Sequence, residues 1–287
     1  MRKIKLLMLL ILASTSYSIA QKHTETISRK MSFPSETGKN VVFVENINGS
    51  VEVEPSDNNT VLLEATLEIT GDSEKIVAQG KQEVKLISEV VKDTILIYID
   101  CPAINHHSHD SRRRYNYNSR RIEYDFKVDI KLKVPKNVLA DVSTVNDGNV
   151  IVNNLDGSVK ASNVNGNVSI NGANEILNAS TVNGEIRVTS NNPPSQDAEF
   201  RTINGDVYLN YPKSISANLK FKSFNGEFYT DYEITKYLPT EVKKSSKNDK
   251  GTTYKLEGFT VVQIGEGGPE IKLETLNGDV YVASKKL

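Results

Sequence analysis

The pair Asn-Gly returns along this sequence inside one short pattern, and this repetition restricts the possible fold more than any other feature. The pattern is a mostly polar pair, an apolar residue, Asn-Gly, a polar residue, and two apolar residues separated by any residue. The copies are ENINGSVEV from residue 45, STVNDGNVIV from 143, SNVNGNVSI from 162, STVNGEIRV from 180, RTINGDVYL from 201, KSFNGEFYT from 222 and ETLNGDVYV from 274. Five consecutive copies place their asparagines 18 to 21 residues apart, and the last asparagine follows after 52 residues. This regularity indicates a repeated structural unit.

The chemistry of the pattern predicts a turn followed by a strand. Asn-Gly allows a sharp turn because glycine accepts a positive φ at little cost. The residues after glycine alternate between apolar and other types, as in a half-buried strand. The apolar positions form an inward column of mostly β-branched residues, which favour strands. Two places after glycine, this column contains Val150, Val168, Ile186, Val207, Phe228 and Val280.

One unit of this length cannot bury its own apolar side, whereas stacked units can, each strand pairing with its equivalent about 4.8 Å away. We therefore predict an all-β fold, a right-handed parallel β-helix (a solenoid) with coils of 18–21 residues. The motif asparagines should stack as a ladder at one corner, through Asn146, Asn165, Asn183, Asn204, Asn225 and Asn277. The competing interpretation is an antiparallel array of hairpins, since Asn-Gly also favours hairpin turns. An array of hairpins requires only the Asn-Gly turn, whereas this sequence also repeats the same types of residue at equivalent strand positions of each copy.

The chain divides into three predicted segments. Residues 1–20 read as a signal peptide, with a basic start, a short apolar run and small residues before Gln21. Residues 21–135 read as a β-rich N-terminal cap with one short helix over 72–82 and a polar loop over 103–120. Residues 136–287 read as the β-solenoid, with an insertion near 231–255 that explains the long last spacing. The last copy should then lie at the open edge, guarded by Lys285 and Lys286 or by another molecule.

Charge and composition exclude several classes of protein. Removing residues 1–20 leaves 32 Lys and Arg against 36 Asp and Glu, a net charge of -4, which is not that of a general nucleic-acid binder. The single Cys101 excludes an internal disulfide framework and a Cys-rich zinc site. No stretch after the signal reaches the apolar length of a membrane helix. We expect an exported protein of the periplasm, the outer surface or the medium, with no cofactor.

Taken together, these elements resemble a known family. A signal peptide, an early Asn-Gly segment, a short helix between strands, a long strand ending at Val134-Pro135 and a run of VNGxVxV copies are similar to the bacterial putative-adhesin family. These are cell-envelope β-helix proteins that carry a domain of unknown function, and the resemblance covers about residues 38–285. It implies a right-handed β-helix outside the cytoplasm and supplies no catalytic residues. Some relatives are associated with envelope-stress systems.

Two outward columns of the predicted strands contain the candidate binding residues. The position directly after glycine is often acidic, and the position two further on is tyrosine in three copies. Aromatic rings beside carboxylates are typical of a glycan-binding surface, and solenoid faces are common binding surfaces. The candidates for a glycan or other cell-surface ligand are Tyr208, Tyr229, Tyr281, Glu185, Asp206 and Glu227. Like charges in a ladder repel, so Ca²⁺ between these acids is an alternative.

The function predicted from the sequence is that of an adhesin-like binding or structural protein of the cell envelope, without catalysis. One alternative is an envelope-stress or regulatory protein that acts through contact with an envelope protein. A remote alternative is a polysaccharide hydrolase or lyase with paired carboxylates, although the repeat explains these acids without chemistry. His107 and His109 in the polar loop are weak metal-ligand candidates.

Overall fold

The computed structural model describes residues 21–34, 40–107, 114–117, 121–239, 242–246, 252–256 and 258–284. Side chains are not described within 105–120 and 240–257. The predicted signal peptide and the Lys285-Lys286 tail lie outside the described residues.

The described chain contains one helix among many strands. The N-terminal part consists of β1 Gln21–Ser32, β2 Val41–Glu45, β3 Val51–Ser56, β4 Thr60–Gly71, α1 Glu74–Glu83, β5 Lys85–Val91, β6 Thr94–Asp100, β7 Ile104–His107, β8 Arg114–Tyr117 and β9 Asp125–Pro135. The consecutive repeats form β10 Leu139–Ser143, β11 Val150–Asn153, β12 Ser158–Ser162, β13 Val168–Ala173, β14 Glu175–Ser180, β15 Ile186–Ser190, β16 Ala198–Arg201, β17 Val207–Tyr211, β18 Ala217–Asn225 and β19 Phe228–Thr230. The remaining strands are β20 Ile234–Leu238, β21 Val242–Ser246, β22 Thr252–Leu256, β23 Thr260–Ile264, β24 Glu270–Asn277 and β25 Val280–Ser284.

Most strands belong to two large sheets that face each other across the core. The first sheet has the order β1-β4-β9-β3-β11-β13-β15-β17-β25-β19, and the second has the order β20-β23-β18-β24-β16-β14-β12-β10-β2-β6-β5. From β10 to β19, successive strands alternate between the two sheets, and each pairs in parallel with a strand of the neighbouring repeat. The all-β prediction is confirmed, and the antiparallel interpretation of the repeats is wrong.

The register keeps the predicted inward column together. Val168 pairs with Ile186, and Ile186 pairs with Val207, so identical positions of neighbouring repeats stack directly. These three side chains are fully buried. Burial of an aliphatic side chain of this size stabilises a fold by about 2 kcal/mol, and the column repeats that contribution in each repeat. Phe228 is only half-buried, because β19 is an edge strand.

The last repeat of the sequence is not at the end of the stack. β24 lies between β16 and β18 in the second sheet, and β25 lies between β17 and β19 in the first. The prediction that the last copy forms an exposed edge is therefore wrong. In the sequence, β18 and β19 come directly after β17, but in the sheets they lie one position further along than their place in the sequence predicts. β24 and β25, which come later in the sequence, lie between them and the preceding repeat. The long spacing reflects this order of strands as well as the segment near 231–255, which supplies β20 and the hairpin β21–β22.

The N-terminal segment continues the same two sheets. β2 and β3 pair in parallel with β10 and β11 of the first consecutive repeat, so both sheets run across the predicted boundary at residue 135. The division into a cap and a solenoid stays a prediction. Inside the predicted polar loop over 103–120, the short strands β7 and β8 form an antiparallel hairpin, which the sequence did not indicate.

The predicted helix is present as α1, displaced by one or two residues at each end. The Ser73 hydroxyl accepts a hydrogen bond from the Ile76 N–H and caps the first turn. Val77 and Gly80 are buried on its inner side. A Cβ atom at Gly80 would overlap the side chains of Ile69 and Tyr124, so this glycine allows the helix to approach β4 closely.

Close packing, rather than turn conformation alone, explains the motif glycines. A Cβ atom at Gly184 would overlap the carbonyl oxygen of Gly166 in the neighbouring repeat, and Gly205 has the same relation to Gly184. Gly226 is not among the glycines of positive φ, yet a Cβ there would overlap Gly278 equally. Positive φ, the reason suggested by the sequence, therefore does not apply to every copy.

We predict that Gly184→Ala lowers the free energy of unfolding by about 2–3 kcal/mol, because the backbone of a whole repeat must shift to admit the methyl group. Gly258→Ala is the matched control, since Gly258 has a φ of +66° but, chain neighbours apart, no atom of a described residue lies within 4 Å of the position that its Cβ would take. It should cost only the backbone strain of about 1 kcal/mol. Chemical denaturation followed by circular dichroism measures both values. Equal losses would contradict the packing explanation.

Candidate binding face

The motif asparagines form one hydrogen-bonded column along a corner of the stack. Each carboxamide Nδ2 donates to the Oδ1 of the asparagine in the neighbouring repeat, at 2.7 Å from Asn165 to Asn146 and 2.8 Å from Asn183 to Asn165. The column continues with Asn204, then Asn277, and ends at Asn225. The structure thus brings all six predicted ladder asparagines together, with Asn277 placed before Asn225.

A second column, which the sequence reasoning missed, lies two places before each motif asparagine. Its side chains point inward, and each donates a hydrogen bond to the carbonyl oxygen of the motif glycine in the preceding repeat of the stack. The Thr181 hydroxyl donates to the Gly166 oxygen at 2.8 Å, and the Thr202 hydroxyl donates to the Gly184 oxygen at 3.0 Å. Thr144, Asn163, Thr275 and Ser223 make equivalent bonds. The sequence signal was present, since this position is Thr, Ser or Asn in every copy.

The acidic column is held by the backbone of neighbouring repeats. Asp206 Oδ1 accepts the Asp279 N–H at 2.8 Å, and Asp279 Oδ1 accepts the Glu227 N–H at 2.8 Å. Asp279 therefore belongs to the column between two of the predicted residues. Glu185 lies at the other end, where its Oε2 accepts two bonds from the Arg187 guanidinium. These carboxylates satisfy backbone and side-chain donors, which leaves less reason for the Ca²⁺ alternative.

The three predicted tyrosines stack on one another beside the acids. The ring centroids of Tyr208 and Tyr281 are 4.8 Å apart with 5° between the planes, and those of Tyr281 and Tyr229 are 4.9 Å apart with 8°. The Arg187 guanidinium lies 4.0 Å from the Tyr208 centroid on the remaining side of the stack. Arg187 thus extends the stack through a cation–π contact, a role that the sequence reasoning did not assign.

Each tyrosine hydroxyl donates to the carboxylate two residues before it in the same strand. Tyr208 donates to Asp206 at 2.8 Å, and Tyr229 donates to Glu227 at 2.8 Å. Tyr281 donates to Asp279 at 3.0 Å. The hydroxyl groups and the carboxylates therefore form one polar edge, while the ring faces meet each other.

This arrangement raises the pKa of all three phenols. The hydrogen bond to Asp279 is the main cause for Tyr281, whose pKa rises to about 12. The bond to Glu227 is the main cause for the raised pKa of Tyr229, and burial contributes most for Tyr208, followed by the bond to Asp206. In each case the neutral phenol donates to a carboxylate, and its ionisation would place two negative charges together.

The stack covers the faces of its inner rings and leaves one face open. Tyr208 lies between Arg187 and Tyr281, and Tyr281 lies between the two other tyrosines. Tyr229 is on the edge strand β19, its residue is 44% exposed, and no described aromatic ring or cation lies over its outer face. The predicted strip is therefore a row of ring edges that ends in one accessible ring face.

Apolar residues are also exposed at this end of the stack. Phe224 is 74% exposed and Leu276 is 45% exposed, and both occupy the position directly before a motif asparagine. The register places Asn225 beside Asn277, so these two side chains belong to neighbouring repeats. The sequence showed an apolar residue in this position of every copy but did not indicate that it points outward.

The metal-ligand candidates are not brought into a described site. His107 is on β7, in a part of the chain whose side chains are not described, and His109 lies outside the described residues. Within the described ranges, no group of three or more His, Cys, Asp or Glu side chains could hold a metal ion. Cys101 is buried, and burial is the main cause that raises the pKa of its thiol. Among the described residues, no helix is long and apolar enough to cross a bilayer.

Comparison with known proteins gives structural similarities at low sequence identity. No family model matches the chain, and no curated protein sequence matches it. A putative cell adhesion protein from Clostridium sporogenes is similar over 93% of this chain and 100% of its own, with a TM-score of 0.40 and 10% identity. A putative adhesin from Bacteroides fragilis is similar over 91% of this chain and 97% of its own, with a TM-score of 0.38 and 13% identity.

A third solved structure, a putative lipid binding protein from Parabacteroides distasonis, is similar over 92% of this chain and 97% of its own, with a TM-score of 0.29 and 15% identity.

The tyrosine pKa shifts predict how stability depends on pH. A phenol whose pKa is higher in the folded than in the unfolded chain stabilises the fold below the unfolded value of 10.0 and loses that contribution as the pH rises towards 12. We expect the thermal midpoint to fall over this window, and to fall less in Tyr281→Phe. Near-ultraviolet difference spectra should show a phenol titrating near pH 12 that is missing from the variant. An unchanged titration would contradict the assignment to Tyr281.

Proposed function

We propose that this protein is an exported, non-enzymatic, adhesin-like binding protein of the bacterial cell envelope, built as a right-handed parallel β-helix. The alternation of parallel strands between two sheets supports the β-helix. The right-handed sense is supported by the strong preference of parallel strand connections for that hand. The predicted signal peptide supports export.

The observation that carries the binding function is the open face of Tyr229. The face of an aromatic ring carries partial negative charge and packs well against the polarised C–H groups of a pyranose. Among the stacked tyrosines, only Tyr229 offers such a face, because the faces of Tyr208 and Tyr281 are covered. We infer that a carbohydrate binds at the end of the stack and not along its length.

Polar groups beside Tyr229 suit the hydroxyl groups of a sugar. The Glu227 carboxylate is exposed and accepts the Tyr229 hydroxyl. Asn225 is the last member of the amide ladder. Its Nδ2 donates to the Oδ1 of Asn277, so its own Oδ1 faces the end of the stack. Carboxylate and amide oxygens accept hydrogen bonds from hydroxyl groups, and a few such acceptors around an apolar contact give orientation and specificity.

The repeat also supports the proposal that the protein has no catalytic role. Asp206, Asp279 and Glu227 have the same position in their repeats, and each accepts the hydroxyl of the tyrosine two residues later. Stacking geometry explains why each acid is present. No chemical step needs to be assigned to any of them.

The binding proposal is tested by substituting Tyr229 without uncovering the ring beneath it. We expect Tyr229→Leu to weaken binding to oligosaccharides found on a glycan array by about tenfold, ~1.4 kcal/mol, because it removes the ring face but still covers Tyr281. Tyr229→Phe keeps the face and should retain most of the binding. Isothermal titration calorimetry with the array-identified oligosaccharide measures all variants.

Tyr237→Leu is the matched control, since Tyr237 is 73% exposed but outside the tyrosine stack. It should bind as the natural protein does. The proposal fails if no oligosaccharide binds, or if Tyr229→Leu and Tyr237→Leu bind equally well while both remain folded.

A second candidate function, contact with an envelope protein, is supported by the exposed Phe224 and Leu276. Phe224 and Leu276 expose large apolar side chains at the same position of neighbouring repeats, and clustered exposed apolar surface marks protein interfaces. They lie at the same end of the stack as Tyr229 but at the Asn-Gly corner.

We expect Phe224→Ser with Leu276→Ser to remove a partner captured from envelope extracts while leaving oligosaccharide binding intact. The substitutions replace exposed apolar surface, so the thermal midpoint should change little. Mass spectrometry after affinity capture identifies proteins that the natural chain retains and the variant does not. Identical captured sets would dismiss this second function.

A further inference from the structure

The last repeat of the sequence occupies an internal place in the stack, where its two strands are hydrogen-bonded to the neighbouring strands on both sides. Asn277 donates to Asn204 on one side and accepts from Asn225 on the other, at 2.7 Å and 2.8 Å. The Val207 N–H donates to the Asp279 oxygen, and the Val280 N–H donates to the Glu227 oxygen. Without β24 and β25, the repeats on either side would face each other across a gap one strand wide in both sheets.

The gap would also open the core. Ile271 and Leu273 of β24, and Val280 and Val282 of β25, are fully buried between the neighbouring repeats. Their removal would expose apolar surface on both sheets together with unpaired strand edges, which readily accept another strand. The gap would thus accept a pair of strands with this repeat pattern, and the last repeat is the segment that fills it.

The connection to the last repeat has the features of a hinge. β23 and β24 lie on opposite sides of β18, and residues 265–269 pass from one to the other across the start of that strand. Three glycines in this connection have positive φ, with values of 58° at Gly265, 77° at Gly267 and 149° at Gly268. A short connection that reverses direction through such glycines can extend, because glycine also adopts the extended backbone, and exchange of an identical element through a hinge loop is a low-cost route to a dimer.

We propose that a second copy of this chain can supply the last repeat, Glu270–Ser284, so that the protein forms a dimer by reciprocal exchange of β24 and β25. Every contact of the repeat is preserved when the donor is an identical chain, and only the hinge changes. The clamp at the end of β25 is preserved too. In the monomer, the Asp231 carboxylate accepts the Ser284 N–H and hydroxyl, and the Tyr232 hydroxyl donates to the Ala283 oxygen.

Protein concentration decides between the two arrangements. A chain's own repeat is present at high effective concentration, so dilute folding gives the monomer. The gap stays open until the last repeat returns, because β18 and β19 precede it in the chain. Folding at high protein concentration, as occurs when many copies are delivered to one surface, allows exchange. This proposal does not depend on the carbohydrate-binding proposal.

Two single-cysteine variants detect the exchange directly. Asn210 and Ala283 are register partners on β17 and β25, and both are half-buried on the outer face. We prepare Asn210→Cys and Ala283→Cys as separate chains, each with Cys101→Ala, and refold them together at high protein concentration under oxidising conditions. A disulfide between the two chains forms only if the last repeat of one lies in the gap of the other. We expect about half of the dimers to be covalent, since random pairing makes half of them mixed.

The matched control uses Thr189→Cys with Asn210→Cys, which are register partners on the consecutive repeats β15 and β17. These strands are not exchanged, so the same mixing experiment should give no covalent dimer. A single chain with both Asn210→Cys and Ala283→Cys should form an internal disulfide when refolded dilute, and it should then remain monomeric at high concentration.

The unsubstituted chain provides an independent measurement. Light scattering after refolding should show a dimer whose fraction rises with protein concentration. The proposal is overturned if this chain is monomeric at every concentration, or if mixed refolding gives no covalent dimer while the doubly substituted chain still forms its internal disulfide. Equal cross-linking of the control pair would overturn it as well.

Discussion

The close approach of neighbouring turns at the Asn-Gly corner is the constraint on which the rest of the structure depends. A Cβ atom at Gly184 or Gly205 would overlap the carbonyl of the previous turn, so glycine at this position permits the spacing at which both sheets pair. The asparagine ladder then hydrogen-bonds the turns on the outside, and the Thr181 and Thr202 hydroxyls do so on the inside. Once the turns are stacked in this way, register follows, because strands leaving aligned turns place identical positions side by side.

This constraint explains how much of the fold could be predicted from the sequence. Period-two alternation after each turn identified the inward column, and the repeat spacing identified parallel stacking, because both are local properties of every copy. The order of the repeats is a different kind of property. The copies at Asn225 and Asn277 carry the same turn and similar columns, so either could stack on the repeat of Asn204. Two features agree with the observed order: Phe228 is half-buried, which suits an edge strand, and residues 265–269 lead past the start of β18 to β24. Neither leaves a periodic signal.

In the candidate site, too, the sequence predicted which residues are present but not how they contact one another. The tyrosine and acid columns were visible in the sequence, as were the residues within them. Their mutual contacts were not, although a strand spacing of about 4.8 Å is close to the stacking distance of aromatic rings, so that tyrosines in one column must lie face to face. That contact converts the expected aromatic strip into a closed stack, with Arg187 at one end and Tyr229 at the other. The participation of Arg187 and Asp279 follows from the same columns once the stacking is considered.

Stacking and binding therefore compete for the same surfaces in this protein. A ring face that stabilises the contact between two repeats is unavailable to a ligand, and a carboxylate oxygen that accepts the next backbone N–H has less capacity left for a cation. Recognition must then concentrate where the repetition stops. The end beyond β19 is such a place, since Tyr229, Phe224 and Asn225 each lack a further repeat there. Insertion of the last repeat leaves this end occupied by the copy with the most aromatic sequence, KSFNGEFYT, and not by the copy that the chain order would place there. The unusual order of the strands thus determines which side chains the stack presents.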